Sequence, residues 1–365
     1  MKIAIVHDYL NQFGGAERVV EVLHEIFPDA PIYTSIYLPD EMPDSFRQMD
    51  IRTSFMQKLP FLKRHFKKYL LLYPRAFKNF DLHEYDVILS SSSAFAKGVR
   101  KGKNCCHICY CYTPMRFAWR YEDYVQQEKF NGLIKLILPA FISKLKAWDL
   151  NTNKDIDQLV AISNYIAKRI ETVYNRKSKV IYPPVETHKF AIAGNVSDYF
   201  LIVSRLNPYK KLDIAIKAFN ELGLPLKIIG DGPYRKNLER MANNNIEFLG
   251  RISDKELAGY YAGCRALIFP GEEDFGIAPV EAQAAGRPVI AYGAGGALET
   301  VIEGKTGVFF NEQNEGSLVD AVKRFKKLDF DSKSVRENAL KFDREVFKEE
   351  IKAFVDATYR ECRGK

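Results

Sequence analysis

No run of apolar residues in this 365-residue chain reaches the roughly 18 needed to cross a bilayer, and no stretch of it is low in complexity. The chain opens directly on the strand-like Lys2-Ile-Ala-Ile-Val-His-Asp8 where a secreted protein would carry a leader, so a cytoplasmic protein is expected. Cysteine is scarce, six in all: Cys105, Cys106, Cys109 and Cys111 crowd one segment, with Cys264 and Cys362 elsewhere. The crowding invites a metal reading. Yet Cys-Cys-His-Ile-Cys-Tyr-Cys has the pattern of a short buried strand, whose alternate side chains point to opposite faces and cannot converge on one tetrahedral ion. Reduced core thiols and no metal are therefore expected.

What the chain does have is an ordinary globular balance, with 47% hydrophobic and 27% charged residues. Its length exceeds one ordinary core and suits two domains of roughly 100–200 residues each. In the first half, strands are predicted at residues 2–8, 31–37, 86–90, 105–110 and 157–162, separated by helical or loop segments as a parallel sheet requires. Ser163 is placed as the N-cap of a following helix. Residues 179–188, with Pro183 and Pro184, read as a hinge. A second series has strands at residues 199–204, 226–229, 246–249, 266–269, 288–291 and 307–309, again alternating with helices. Beyond it, residues 335–362 carry Phe342, Val346, Phe347, Ile351, Phe354 and Val355 at helical spacing.

Charged residues cluster at two predicted strand ends. In Gly271-Glu-Glu-Asp-Phe-Gly-Ile-Ala-Pro-Val-Glu281, Glu273 falls in the loop and Glu281 in the first turns of a helix begun around Pro279. Ligands of open α/β sheets bind outside the carboxyl ends of the strands, so two carboxylates there suit sugar hydroxyls. The plainer reading is a solvated loop charge and an acid facing the helix dipole. Ser204-Arg-Leu-Asn-Pro-Tyr-Lys210 places Arg205 at a strand end and Lys210 five positions on, a fork and a point charge that suit a diphosphate. Two surface cations are the plainer alternative. Gly230-Asp-Gly-Pro233 and Gly293-Ala-Gly-Gly-Ala-Leu-Glu299 can line the same crevice. Gly14 and Gly15 follow the first strand, where backbone amides can approach a phosphate or the chain merely turns; the third glycine of a dinucleotide fingerprint is missing.

Arg205 with Lys210, Gly230-Asp-Gly232, Glu273 through Phe275-Gly276 to Glu281, and Gly295-Gly296-Ala-Leu-Glu299 resemble the C-terminal half of retaining, nucleotide-sugar-dependent glycosyltransferases of the GT-B fold, family 4 type. Gly14-Gly15 and the strand series resemble the N-terminal half, so the likeness covers nearly the whole chain. Tyr112-Thr-Pro-Met-Arg-Phe-Ala-Trp119 and Pro208-Tyr-Lys-Lys211 look most like mannosyltransferases of bacterial surface-polysaccharide assembly. The resemblance implies an α/β protein of two Rossmann-like domains facing a cleft. An acceptor domain would span residues 1–182 and a donor domain 183–345, with a C-terminal helix at about 346–365 crossing back to the first.

The resemblance further implies that Arg205 and Lys210 bind the donor diphosphate, Glu281 the ribose, Glu273 the transferred sugar, and Gly15 a phosphate through its backbone. The donor would be GDP-mannose, the acceptor a glycan or lipid-linked glycan, and no metal or other cofactor would take part. One position departs. Family members carry a histidine where this strand ends in Tyr112, and tyrosine donates a hydrogen bond but is no cation near neutral pH. His107 reads as a core or edge histidine. Two alternatives are an inactive relative serving as a nucleotide-sugar or glycan-binding subunit, and a sugar-nucleotide epimerase or phosphorylase. The intact Arg-Lys-Glu-Glu set argues against the first, and the spacing of these residues against the second.

Residues 51–80 hold eight Lys or Arg and no acid, interleaved with Phe55, Phe61, Phe66, Leu70, Leu71 and other apolar residues. Such a stretch suits an anionic membrane surface, or else a solvated face over a buried one. No nucleic-acid motif accompanies the charge.

Overall fold

The computed structural model describes residues 1–120 and 132–364, without the side chains of Arg64, Lys67 and residues 132–137. The chain divides into two units, Met1–Pro183 with Phe347–Lys365, and Pro184–Val346.

In the first unit, β1 (Ile3–His7) is an Ile-Ala-Ile-Val run with every side chain buried, as in a parallel strand covered on both faces. Around it the sheet runs β3 (Ile51–Thr53), β2 (Ile32–Thr34), β1, β4 (Val87–Ser92), β5 (Cys106–Cys111), β6 (Gln158–Ala161) and β7 (Lys179–Val180), all parallel. Strand order reverses between β1 and β4, which makes their carboxyl ends a ligand crevice by the general rule for such sheets. Helix α1 (Gly15–Ile26) follows β1 directly. Helix α2 (Gly132–Thr152) is held by a buried ion pair, Lys97 Nζ to Asp149 Oδ1 at 2.6 Å, with Asp149 also accepting from Trp119 and Tyr174. Helix α3 (Asn164–Tyr174) begins at Ser163, whose hydroxyl accepts from the Ile166 amide.

The second unit repeats the pattern: β10 (Ile246–Gly250), β9 (Leu226–Ile229), β8 (Phe200–Val203), β11 (Leu267–Phe269), β12 (Val289–Tyr292) and β13 (Gly307–Phe310), with the reversal between β8 and β11. Its helices include α4 (Leu212–Leu222), α5 (Asp254–Gly263), α6 (Ile277–Ala284), α7 (Glu315–Phe325) and α8 (Ser332–Leu340). Phe200, Phe219, Ile228, Ile268, Val322 and Phe325 pack between sheet and helices.

Four expectations change. Strands β3 and β7 emerge where a basic stretch and a hinge were read, because strands of two or three edge residues leave no periodic pattern. The single helix expected over residues 335–362 is two, α8 and α9 (Arg344–Arg363), since Asp343 accepts from the Glu345 amide at 2.9 Å and starts a new helix. Phe342 sits in the break. The cysteines are not all thiols: Cys106 and Cys362 form a disulfide with Cα atoms 6.2 Å apart, because α9 lays its last turn beside the start of β5. Cys105, Cys109, Cys111 and Cys264 remain free and buried. Asp157 stands with Cys106 and Cys362, the one metal-ligand grouping among the described residues, but both sulfurs there are bonded to each other.

Finally, residues 51–80 fold as a strand and a series of short helical turns. Met56, Leu62, Tyr73, Ala76 and Phe77 are buried in the core, while Phe55, Phe61 and Leu71 stay exposed, Phe61 at 78%. Lys63 pairs with Glu41 at 2.6 Å. The side chains of Arg64 and Lys67 lie outside the described residues. Among those residues no helix is long and apolar enough to cross a membrane.

Candidate active site

The second unit gathers its charged residues at the switch point between β8 and β11. Arg205 stands exposed just past β8, and Lys210 closes the one-turn helix Pro208–Lys210 that leads into α4. From the loop after β11, Glu273 reaches Lys210, Oε1 to Nζ at 2.6 Å, with both side chains largely but not fully buried. The two residues come from different strands, so the pair exists only because β8 and β11 are neighbours.

Two close approaches fix the loops. Gly230, ending β9 at φ +126°, lies so near Ser204 that a Cβ would sit 1.9 Å from its carbonyl oxygen. The Leu206 amide donates to the Asp231 carbonyl at 3.0 Å, lacing the Arg205 loop to the β9 loop. Likewise Gly296 donates to the Glu273 carbonyl at 2.8 Å, and a Cβ on it would meet the Phe275 Cα at 2.3 Å. Phe275 is buried against Phe342, their rings 5.5 Å apart, and Gly276 is the N-cap of α6.

Glu281, on α6, is buried rather than solvated, and its Oε2 accepts from the Tyr261 phenol at 2.8 Å. Tyr261 belongs to α5 and carries no sequence signal for this role beyond an aromatic on an amphipathic segment.

Gly14, Gly15 and Tyr112 stand together in the first unit, at its own switch point. The Tyr112 hydroxyl lies 3.0 Å from the Ala16 carbonyl, one residue past the glycine pair. Burial pushes this phenol well above its ordinary range. Asp8, buried at the end of β1, accepts from the amides of Ser93, Ala94, Phe95 and Ala96 and so shapes the loop after β4. His107 is buried inside β5 beside Ser90, and burial holds its pKa down at about 3.

Two family models match this chain: glycosyltransferase family 4 over residues 13–189, and glycosyl transferases group 1 over residues 186–342. The chain belongs to the family 4 glycosyltransferases. It is 27% identical to an uncharacterized glycosyltransferase of Methanocaldococcus jannaschii, over 99% of this chain and 98% of that one. An alpha-1,3/1,6-mannosyltransferase of Dictyostelium discoideum is 24% identical over 85% of this chain and 86% of its own. A GDP-mannose-dependent alpha-(1-6)-phosphatidylinositol monomannoside mannosyltransferase of Mycolicibacterium smegmatis is 31% identical over 46% of this chain, which spans only 51% of that relative. In fold, the glycosyltransferase resembles Anabaena HepE in complex with UDP, at a TM-score of 0.73 and 18% identity over 98% of this chain and all of that one. The sucrose-phosphate synthase of Thermosynechococcus elongatus matches at 0.74 and 16%, over 99% of this chain and 100% of that one. These neighbours share its GT-B architecture.

Proposed function

We propose that this glycosyltransferase moves a hexose, mannose from GDP-mannose, to a glycan or lipid-linked glycan acceptor with retention of anomeric configuration. The observation that carries the donor assignment is the Lys210–Glu273 pair at the β8/β11 switch point, with Arg205 on the same loop after β8 as Lys210. The mannose and guanine are taken from what the mannosyltransferase relatives are named for.

In this reading Arg205 and Lys210 receive the diphosphate, so charge developing on the leaving phosphate meets a guanidinium fork and an ammonium. As Lys210 turns to phosphate its tie to Glu273 loosens, and Glu273 accepts hydrogen bonds from the sugar. Glu281, steadied by Tyr261, accepts from the ribose. The acceptor hydroxyl attacks the face the nucleotide leaves: its bond to the anomeric carbon forms as the bond to phosphate oxygen breaks, and its proton passes to that phosphate. The two cations supply the positive charge without a metal ion.

Exposed Phe55, Phe61 and Leu71, set among exposed Lys58 and Lys68, would rest on the inner face of an anionic membrane and bring a lipid-linked acceptor within reach.

The deciding experiment is nucleotide release and mannosyl transfer from GDP-mannose, with a chelator present. Arg205→Ala and Lys210→Ala are each expected to lose about two to three orders of magnitude in turnover, the scale of removing a donor to transition-state charge. Glu273→Gln should abolish most transfer while sparing nucleotide affinity, whereas Glu281→Gln should weaken nucleotide binding itself. Near-native activity in both cation variants removes the assignment. Nucleotide binding with no release at all marks the chain as a binding subunit.

A further inference from the structure

The switch point of the first unit carries a run of polar contacts, packed end to end, that the donor chemistry above leaves unused. The Tyr112 hydroxyl touches the Ala16 carbonyl at 3.0 Å and Ser91 Oγ at 2.8 Å. A carbonyl only accepts, so the phenol proton goes to Ala16 and Ser91 donates to the phenol oxygen. Ser91 Oγ lies 3.0 Å from His7 Nδ1, which must then carry a proton. On the far side of the ring, His7 Nε2 stands 3.8 Å from Glu17 Oε1, a packing contact too long for a hydrogen bond, and Glu17 Oε2 accepts from the Gly14 amide at 2.8 Å. The run starts at Ala16 and returns to Gly14. It passes through the ends of β1, β4 and β5, and His7, Glu17 and Ser91 are all buried.

Building on the nucleotide-sugar reading, we propose that Tyr112 is a positioning residue: with Ser91, His7 and Glu17 it fixes the Gly14-Gly15 backbone for a donor phosphate, and it does not bind the sugar. Its one proton is committed to Ala16, and its oxygen already accepts from Ser91. Glu17 grips the segment at one end and Tyr112 at the other. The Gly14 amide is itself taken by Glu17, so what these contacts offer an anion is the backbone at Gly15, held on both sides and in no need of rearrangement when the anion arrives.

Free GDP and UDP carry a diphosphate and no sugar, so they separate the two roles. In titration calorimetry with each nucleotide, Tyr112→Phe and Ser91→Ala are each expected to weaken binding about 5-fold, the scale of one neutral hydrogen bond. The double variant should lose no more than the worse single one, because both changes break the same chain. Melting temperatures are recorded alongside, and the expected losses persist in variants that melt like the wild type. Unchanged nucleotide affinity in Tyr112→Phe, with transfer lost, puts the hydroxyl on the sugar and overturns the proposal. Losses that multiply in the double variant overturn the shared run of contacts. A wild type that binds neither nucleotide defeats the donor reading instead.

Discussion

His107 is a residue whose effect is felt only in acid. Its Nε2 meets Ser90 Oγ at 2.8 Å, its Nδ1 has no partner among the described residues, and burial lowers its pKa to about 3. The unfolded chain protonates the same ring near 6.5. Because the folded value is the lower one, stability is complete above about pH 6.5 and is lost as pH falls toward the folded pKa, by about 1.4 kcal/mol per unit. Denaturant titrations at pH 7 and pH 5 should therefore cost the wild type about 2 kcal/mol more than His107→Gln; equal losses would place the acid sensitivity elsewhere. Burial also pushes Cys105 up to about 11 and Cys264 up to about 12. At pH 8 Cys105 should alkylate about two orders of magnitude, and Cys264 about three, more slowly than an open thiol, which mass spectrometry of the labelled native protein would read. At this scale the sequence discloses spacing but not partners. Glu273 and Lys210 follow from their offsets to strand ends, whereas Tyr261 and His7 hydrogen-bond across 20 and 84 residues and leave no local trace.

Among elements, the β8 and β9 loops are set by contact. Replacing Gly230 with Ala would drive a Cβ into the Ser204 carbonyl, at 1.9 Å, and displace the turn that carries Arg205. Gly230→Ala is thus expected to lower the melting temperature by several degrees and weaken GDP binding about 5-fold or more, since backbone strain of this kind costs about 1–3 kcal/mol. A variant with native affinity would show that Arg205 finds its place without this contact. The turns of residues 55–72 should sediment with anionic but not neutral liposomes, less so in high salt. Binding should fall with Phe61→Ser plus Leu71→Ser, and with Lys63, Arg64, Lys67 and Lys68 all changed to Glu, each cation being worth about 1 kcal/mol near such a surface. Wild type left in the supernatant at low salt dismisses the membrane contact. The long strands and helices of this chain were legible because each repeats a burial pattern several times over. Strand β3 and the break at Phe342 were not, since three residues or one turn carry too little periodicity to stand out.

For the molecule entire, the two parallel sheets followed from alternation of strand and helix, and both adopt an order that reverses beside their first strand. The tie between Cys106 and Cys362 could not be read, because 256 residues separate them. In the chain-entropy account, closing so long a loop stabilises by up to about 5 kcal/mol. Calorimetry with and without a dithiol reductant should accordingly show the first unit melting several degrees lower when reduced, and Cys362→Ser should melt the same either way. The bond also makes most of this polypeptide a covalent ring, and all of Pro184–Val346 lies on its circumference. Residues 191–197 form a largely exposed stretch without regular structure, open to a protease. A cut there would turn the ring into a string rather than two pieces: the nicked protein would run on a gel as one species until a thiol is added, and only then fall apart.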